Sequence, residues 1–170
     1  MNKTLVKEIR NEISIILGEE DGRGIVHCVS YALGNTLRSL SDRLIFHGSL
    51  DKDIQFQKFI KTPGSVFVSP SSTRGVDLKG DLGRWAVILK CPWLYLGDHH
   101  IQQRVFNSGK WGKTWFASQA IDTIIQASGR IVRDFDDYGT VYILDTQVGK
   151  LLEKNANLFS RWYRDAIEYE

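Results

Sequence analysis

On a helix turning about 100° per residue, Trp115 to Arg133 sorts into two faces. Ala117, Ala120, Ile121, Ile124, Ser128, Ile131 and Val132 form a small or apolar side, while Gln126, Gly129, Arg130 and Arg133 share a polar one. A solvated outer face is the ordinary meaning of such a pattern. Two features favour an anion site instead. Gly129 would cost about 1 kcal/mol against alanine inside a helix, which implies close approach to the backbone there. Arg130 and Arg133 have no acidic residue three or four positions before them, the spacing and order that pair best on a helix. Two forked guanidinium groups beside a glycine gap suit a phosphate chain.

A second candidate is the stretch Ser69 to Asp81, S-P-S-S-T-R-G-V-D-L-K-G-D. Hydroxyls, glycines and an Arg-Gly turn can present backbone donors to phosphates. The competing reading is an Asx-type turn with Asp77 as a local cap. A third stretch ends in Gly112-Lys113-Thr114, the tail of a phosphate loop. Asn107 stands where that loop requires glycine, and no buried strand leads directly into it, so it is not a Walker site. Lys110 and Lys113 with Trp111 and Trp115 form either a cation-and-stacking patch for single-stranded DNA or the packed start of the long helix. Packing is the favoured of the two. His27 lies inside a strand and reads as a core histidine. His47 ends a strand at the ligand edge and has a weak claim on DNA or a neighbouring domain. His99 and His100 are adjacent, which does not place two ligands on one helical face. Neither a metal spacing nor a Ser-His-Asp arrangement is present.

The elements that must hold these groups follow from apolar periodicity. Strands are expected at Gly24–Ser30, Leu44–His47, Ser65–Ser69, Trp85–Lys90 and Thr140–Asp145, each apolar on both faces. Helices are expected at Thr4–Leu17, Ala32–Leu40 and Asp51–Lys61, the last with Ile54, Phe56, Phe59 and Ile60 inward. Asp98 is placed to cap a helix through Ile101 and Val105, and Thr146 to cap another. Leu158, Trp162 and Ile167 are expected to seal an edge or face of the sheet. Strands alternating with helices imply a doubly wound parallel sheet, whose ligands bind beyond the strands' carboxyl ends.

Composition bounds the rest. At 170 residues, 42% hydrophobic and 25% charged, the chain fits one globular domain with a substantial core. A net charge of +2 is too small to argue for nucleic acid by bulk electrostatics, so any such site must be local. No apolar run reaches membrane-spanning length. Acids among the first apolar residues make the N-terminus an amphipathic helix and not a secretion signal. Cys28 and Cys91 sit in apolar surroundings, as reduced core thiols of a cytosolic protein would.

Gln126 to Arg133, Q-A-S-G-R-I-V-R, resembles the last motif of superfamily-two helicases, Q-x-x-G-R-x-x-R. The following D-F-D-D-Y-G-T-V-Y-I-L-D, and the strand with its Pro-Trp continuation after Trp85, are similar to the XPD/DinG branch. The Ser69–Asp81 stretch resembles that family's fifth motif, with one departure: Arg74 replaces the glutamate usual in this branch, as in other superfamily-two branches. The likeness runs from about Ser65 to Asp145.

This resemblance implies an α/β fold: a single RecA-like domain over residues 1–170, with a mainly parallel five- to six-stranded sheet and helices on both faces. It implies the second motor domain of an ATP-dependent DNA helicase, of the kind used in DNA repair. Its partners would be an N-terminal RecA-like domain, absent from this chain, and single-stranded DNA. In such a motor Arg130 and Arg133 act as fingers on the γ-phosphate of ATP held by the other half, and Gln126 orients the nucleotide or its attacking water. Gly75, Asp77 and Gly129 lie against the nucleotide, and Ser72, Thr73 and Arg74 touch DNA. ATP and Mg²⁺ would be held mainly by the absent domain, and this segment would carry no iron–sulphur cluster. Without a Walker loop or a D-E-A-H-type motif, the isolated domain should be inactive. The implied location is cytoplasmic, at the nucleoid, or nuclear in a eukaryote. The alternative is a non-catalytic RecA-like module that binds nucleic acid or a partner.

Overall fold

Five short apolar runs become one parallel sheet in the computed structural model, which describes residues 3–70, 78, 80–132 and 136–169. The strands are β1 Gly24–His27, β2 Leu44–Phe46, β3 Val66–Ser69, β4 Trp85–Ile88 and β5 Thr140–Ile143. Their order is β2-β3-β1-β4-β5, and every neighbouring pair is parallel. The helices are α1 Lys3–Glu19, α2 Tyr31–Asn35, α3 Lys52–Lys61, α4 His99–Asn107, α5 Gly109–Ser128, α6 Thr146–Lys154 and α7 Arg161–Asp165. Two compact units result: Met1–Lys90 with Ala127–Leu144, and Cys91–Gln126 with Asp145–Glu170.

The first unit holds the sheet. Alternation along each strand sends Val26, Val66, Val68, Trp85 and Val87 to one face, against Ile9, Ile13 and Ile16 of α1 and Leu33 of α2. Ile25, Ile45, Phe67 and Ala86 go to the other face, against Phe59 of α3, Leu78 and Ile131. Both faces are therefore covered, as a parallel sheet requires. Three arginines tie the amino ends of the strands. Arg43, just before β2, donates to the carbonyls of Gly64, Leu17, Glu20 and Gly22. Arg23, before β1, donates to Thr62, Asp81 and Ile60 carbonyls. Arg84, before β4, pairs with Asp81 at 2.8 Å and Asp137 at 2.9 Å and lies over the Tyr138 ring. These cations satisfy otherwise orphaned loop and helix-end carbonyls, so they serve the fold.

In the second unit Asp98 caps α4 as expected, accepting from the His100 and Ile101 backbone N–H groups. A Cβ at Gly112 would lie 2.4 Å from the carbonyl oxygens of Arg104 and Val105, so this glycine lets α4 and α5 approach closely. Gly112-Lys113-Thr114 is thus the interior of a helix, in keeping with its rejection as a phosphate loop.

Several boundaries differ from expectation. β1, β2, β4 and β5 end one to three residues early, whereas β3 ends at Ser69 as expected. α2 stops at Asn35 and not Leu40, because the chain turns to tighter bonding, with Leu37 N–H to Gly34 and Leu40 N–H to Leu37. Ile54 is 70% exposed, since α3 buries only the stripe through Phe56, Phe59 and Ile60. Asp145, not Thr146, caps α6, accepting from Gln147 N–H at 2.9 Å. Near the C-terminus Phe159 and Tyr163 are buried, whereas Trp162 is exposed and Leu158 and Ile167 are half-buried. The long helix begins at Gly109, earlier than Trp115, and ends at Ser128, well short of Arg133.

Candidate nucleotide and nucleic-acid site

The carboxyl ends of β1, β2, β3 and β4 are His27, Phe46, Ser69 and Ile88. At this edge the first unit places Arg130. Gly129 and Arg130 form a turn directly after α5, and the Arg130 N–H reaches back to the Ala127 carbonyl. Ala127 and Ile131 on either side are buried and anchor that turn, leaving Arg130 partly exposed. Gly129 is therefore not an interruption inside a helix. It follows the last helical residue, where glycine is a common choice, so no helix-interior cost arises there. The two arginines also do not share a continuous rod, because the helix has ended before Arg130.

Arg130 is tied to the edge through its charge. Burial first, and the positive charge of Arg130 second, lower the pKa of His27 from its ordinary 6.5 to about 4. His27 is hence neutral at neutral pH, a core histidine as expected, lying within the electrostatic reach of Arg130. The sign of the linkage follows. The unfolded chain takes up this proton below about pH 6.5, whereas the native state resists it until about 4, so stability is full above that window and falls as pH drops through it. Urea unfolding at about pH 7.5 and about pH 5 should show wild type losing about 2 kcal/mol more than His27→Gln. An equal loss in both would mean that His27 is protonated in the native state.

His47 is 6% exposed, so it is not presented to DNA or a neighbouring domain. Its Nδ1 lies 2.6 Å from the Gly48 carbonyl, which can only accept, so Nδ1 carries the proton. Nε2 then accepts from the Ser69 hydroxyl at 2.8 Å. The ring stacks on Phe67 and meets Tyr31 edge-on. His47 thus joins the ends of β2 and β3 and fixes Ser69, from which the Ser69–Asp81 stretch departs.

Ser72, Thr73, Arg74, Gly75, Asp77 and Arg133 lie outside the described residues. Gln126 is exposed in the last turn of α5 and belongs to the second unit. Sequence reasoning missed one feature of the edge. Val29 has φ +51°, a backbone state that costs a β-branched residue and marks functional turns more often than plain ones. It stands between β1 and the half-exposed Tyr31 at the start of α2. A branched residue carries no signal for positive φ, so periodicity could not find it.

Cys28 and Cys91 are buried thiols, and burial pushes them up to about 11 and about 12. Neither is a nucleophile at neutral pH. Among the described residues no group of three or more His, Cys, Asp or Glu is placed to hold a metal ion. None of their helices is long and apolar enough to cross a membrane.

A five-stranded parallel sheet covered on both faces defines the class of doubly wound α/β domains, whose ligands bind at the strands' carboxyl edge. The helicase C-terminal domain model matches residues 16–166, and the chain belongs to that family. It is 28% identical over 146 residues to the ATP-dependent DNA helicase YoaA of Haemophilus influenzae, covering 78% of this chain and 22% of that protein. YoaA of Escherichia coli is 27% identical over 146 residues, with the same 78% and 22% coverage. Among solved structures, apo XPD superposes with a TM-score of 0.75 at 19% identity, over 92% of this chain and 35% of its own. A second XPD helicase structure gives 0.74 at 18%, over 93% and 31%. The fold and the resemblance to the XPD/DinG branch are thereby borne out. The chain spans about a fifth of the length of the YoaA proteins that it matches.

Proposed function

We propose that residues 1–170 form the second motor domain of an ATP-dependent DNA helicase, completed by an N-terminal RecA-like domain that binds ATP and Mg²⁺. Arg130 and Arg133 neutralise charge that develops on the γ-phosphate during hydrolysis, and Gln126 orients the nucleotide or the attacking water. Gly75, Asp77 and Gly129 face the nucleotide. Ser72, Thr73 and Arg74 hold the phosphate backbone of a single strand that moves as the two halves close and open. Such a motor serves DNA repair in the cytoplasm or at the chromosome.

The single observation that supports this reading most is that the partly exposed Arg130 lies within electrostatic reach of His27, at the carboxyl end of the central strand. That edge is where an open parallel sheet meets its ligand. The domain has no phosphate loop of its own, so ATP turnover by the purified 170-residue chain should not exceed that of its Arg130→Ala variant, with or without single-stranded DNA. Turnover by the chain alone that depends on Arg130 would overturn the division of labour.

A further inference from the structure

The second unit contains an open groove that the motor reading leaves unused. Trp93, Val105, Phe116 and Leu151 line its apolar part, and Lys110 and Lys113 of α5 join Lys150 and Lys154 of α6 in its lining. The cavity measures about 460 Å³, and its lining contains neither aspartate nor glutamate. This charge is not the by-product of a basic unit. Cys91–Gln126 and Asp145–Glu170 together carry seven basic and seven acidic side chains, so the lysines are gathered and the acids kept elsewhere. The two rings of the groove are engaged with each other: Trp93 stacks on Phe116 and donates to Gln147. Nearby, Arg104 covers Trp115 at 4.1 Å, whereas Trp111 is 82% exposed and lies outside the lining. The groove therefore suits aliphatic side chains accompanied by acids.

Such a combination stands on the first helix of the same chain. α1 buries Ile9, Ile13 and Ile16. Beside that face Leu5, Glu8, Glu12, Ile15 and Glu19 fall within a sector of about 80° on a helix turning about 100° per residue. All five are exposed, Leu5 by 44% and Ile15 by 47%, and no basic residue falls among them. A solvated face is the ordinary meaning of exposed glutamates, but two exposed aliphatic side chains in the same stripe are not part of it. Among the described residues, neither these three glutamates nor the four groove lysines form an ion pair within the chain. The spacings also agree. Glu8 and Glu12 lie about 6 Å apart along their axis, as Lys150 and Lys154 do on theirs, and Lys110 and Lys113 about 4.5 Å.

We propose that the groove is a surface for self-association, taking the Leu5–Glu19 stripe of α1 from a second copy of this chain. The aliphatic side chains lie against its apolar lining, and the glutamates neutralise its lysines, in the manner of an amphipathic helix in a groove. Unlike surfaces meet, so the contact is head-to-tail, and every copy offers one groove and one helix. The inference goes beyond the motor reading and does not depend on it, because it uses neither Arg130 nor nucleotide.

The test is sedimentation velocity of the 170-residue chain, without nucleotide or nucleic acid, over a range of concentration and salt. Wild type should self-associate with a dissociation constant of about 10–100 µM at low salt, as a small interface does, and dissociate as salt screens the pairs. Neutralising the stripe (E8Q/E12Q/E19Q) or the groove (K110Q/K113Q/K150Q/K154Q) should each weaken association by about tenfold or more. Mixed in equal amounts, these two variants should form a one-to-one complex, because one keeps the groove and the other the helix. L5S/I15S, which leaves every charge in place, should also lose about tenfold, through lost apolar burial. A control that removes as much acid from exposed positions elsewhere (D53N/D122N/E168Q) should associate as wild type does. Circular dichroism confirms that each variant folds. The proposal is overturned if wild type stays monomeric, if either charge variant associates as wild type does, or if the two fail to pair. It is also overturned if L5S/I15S associates normally, which would reduce the effect to bulk attraction of charge. A monomeric wild type whose groove lysines instead bind labelled oligothymidylate would assign the groove to nucleic acid and overturn it equally. Because ATP hydrolysis is not read, a failure here and a failure of the motor reading are separate results.

Discussion

Arg130→Ala, placed in the polypeptide that carries both motor halves, is expected to lower ATP turnover by about 10³-fold or more, within the range known for arginine fingers. Affinity for single-stranded DNA should stay within about threefold. The size follows from where the charge acts. Phosphoryl transfer leaves little covalent chemistry to the protein, so stabilising the equatorial oxygens of the transferring group carries most of the rate. Arg130 suits that role because Ala127 and Ile131 bury the chain on both sides of it while the guanidinium stays partly exposed. Arg130→Lys should recover little, since an ammonium keeps the charge but not the planar fork. A steady-state assay of phosphate release, beside an anisotropy measurement of DNA binding, separates the two effects. If Arg130→Ala abolished DNA binding and spared hydrolysis, this edge would contact the strand and not the nucleotide. The Arg130 charge has a second readout. Without it the His27 midpoint, about 4 in the native protein, should move upward in an NMR titration, showing that the two groups interact whatever the fate of ATP.

The sheet was legible because burial on both faces leaves a plain mark, a run such as G-I-V-H or W-A-V-I between turn residues. Pairing order was not legible, since nothing within β1 says that β3 and β4 will be its neighbours. Helix ends were misjudged where two signals conflict. Apolar spacing continues through Ile131 and Val132, so the long helix seemed to run to Arg133. Local chemistry ends it at Ser128 with Gly129 next, and Val132 is 42% exposed in consequence. Arg130 stands out as a candidate regardless of where the helix ends, because residue type and neighbours carry that signal and secondary structure does not. His47 was misplaced for the opposite reason. A histidine at a strand's end looks available in sequence, and only the fold brings Ser69, Phe67 and Tyr31 around it.

Gly24→Ala carries the largest expected loss of stability, about 3 kcal/mol, at the upper end of what one added methyl costs in a tight core. Gly24 and Trp85 stand opposite each other in the register of β1 and β4, and the indole lies across the glycine. A Cβ there would fall 2.2 Å from Trp85 Cε2 and 2.4 Å from Cδ2, far inside van der Waals contact. The ring cannot yield cheaply. It is fully buried, and its Nε1–H donates to the Gly22 carbonyl at 3.0 Å, a bond lost if the indole swings away. Backbone conformation is not the obstacle, because the φ of Gly24 lies outside the left-handed region. The cost should therefore belong to the pair and not to the position. In a Trp85→Leu background the same change should cost less than about 1 kcal/mol, a coupling of about 2 kcal/mol between contacting residues. Urea titrations of the four proteins measure it. Equal costs in both backgrounds would mean that strand pairing, and not the indole, excludes a side chain at Gly24. The consequence reaches the candidate site, since β1 begins at Gly24 and ends at His27: a shift of one strand against the other at Trp85 moves the edge that carries His27.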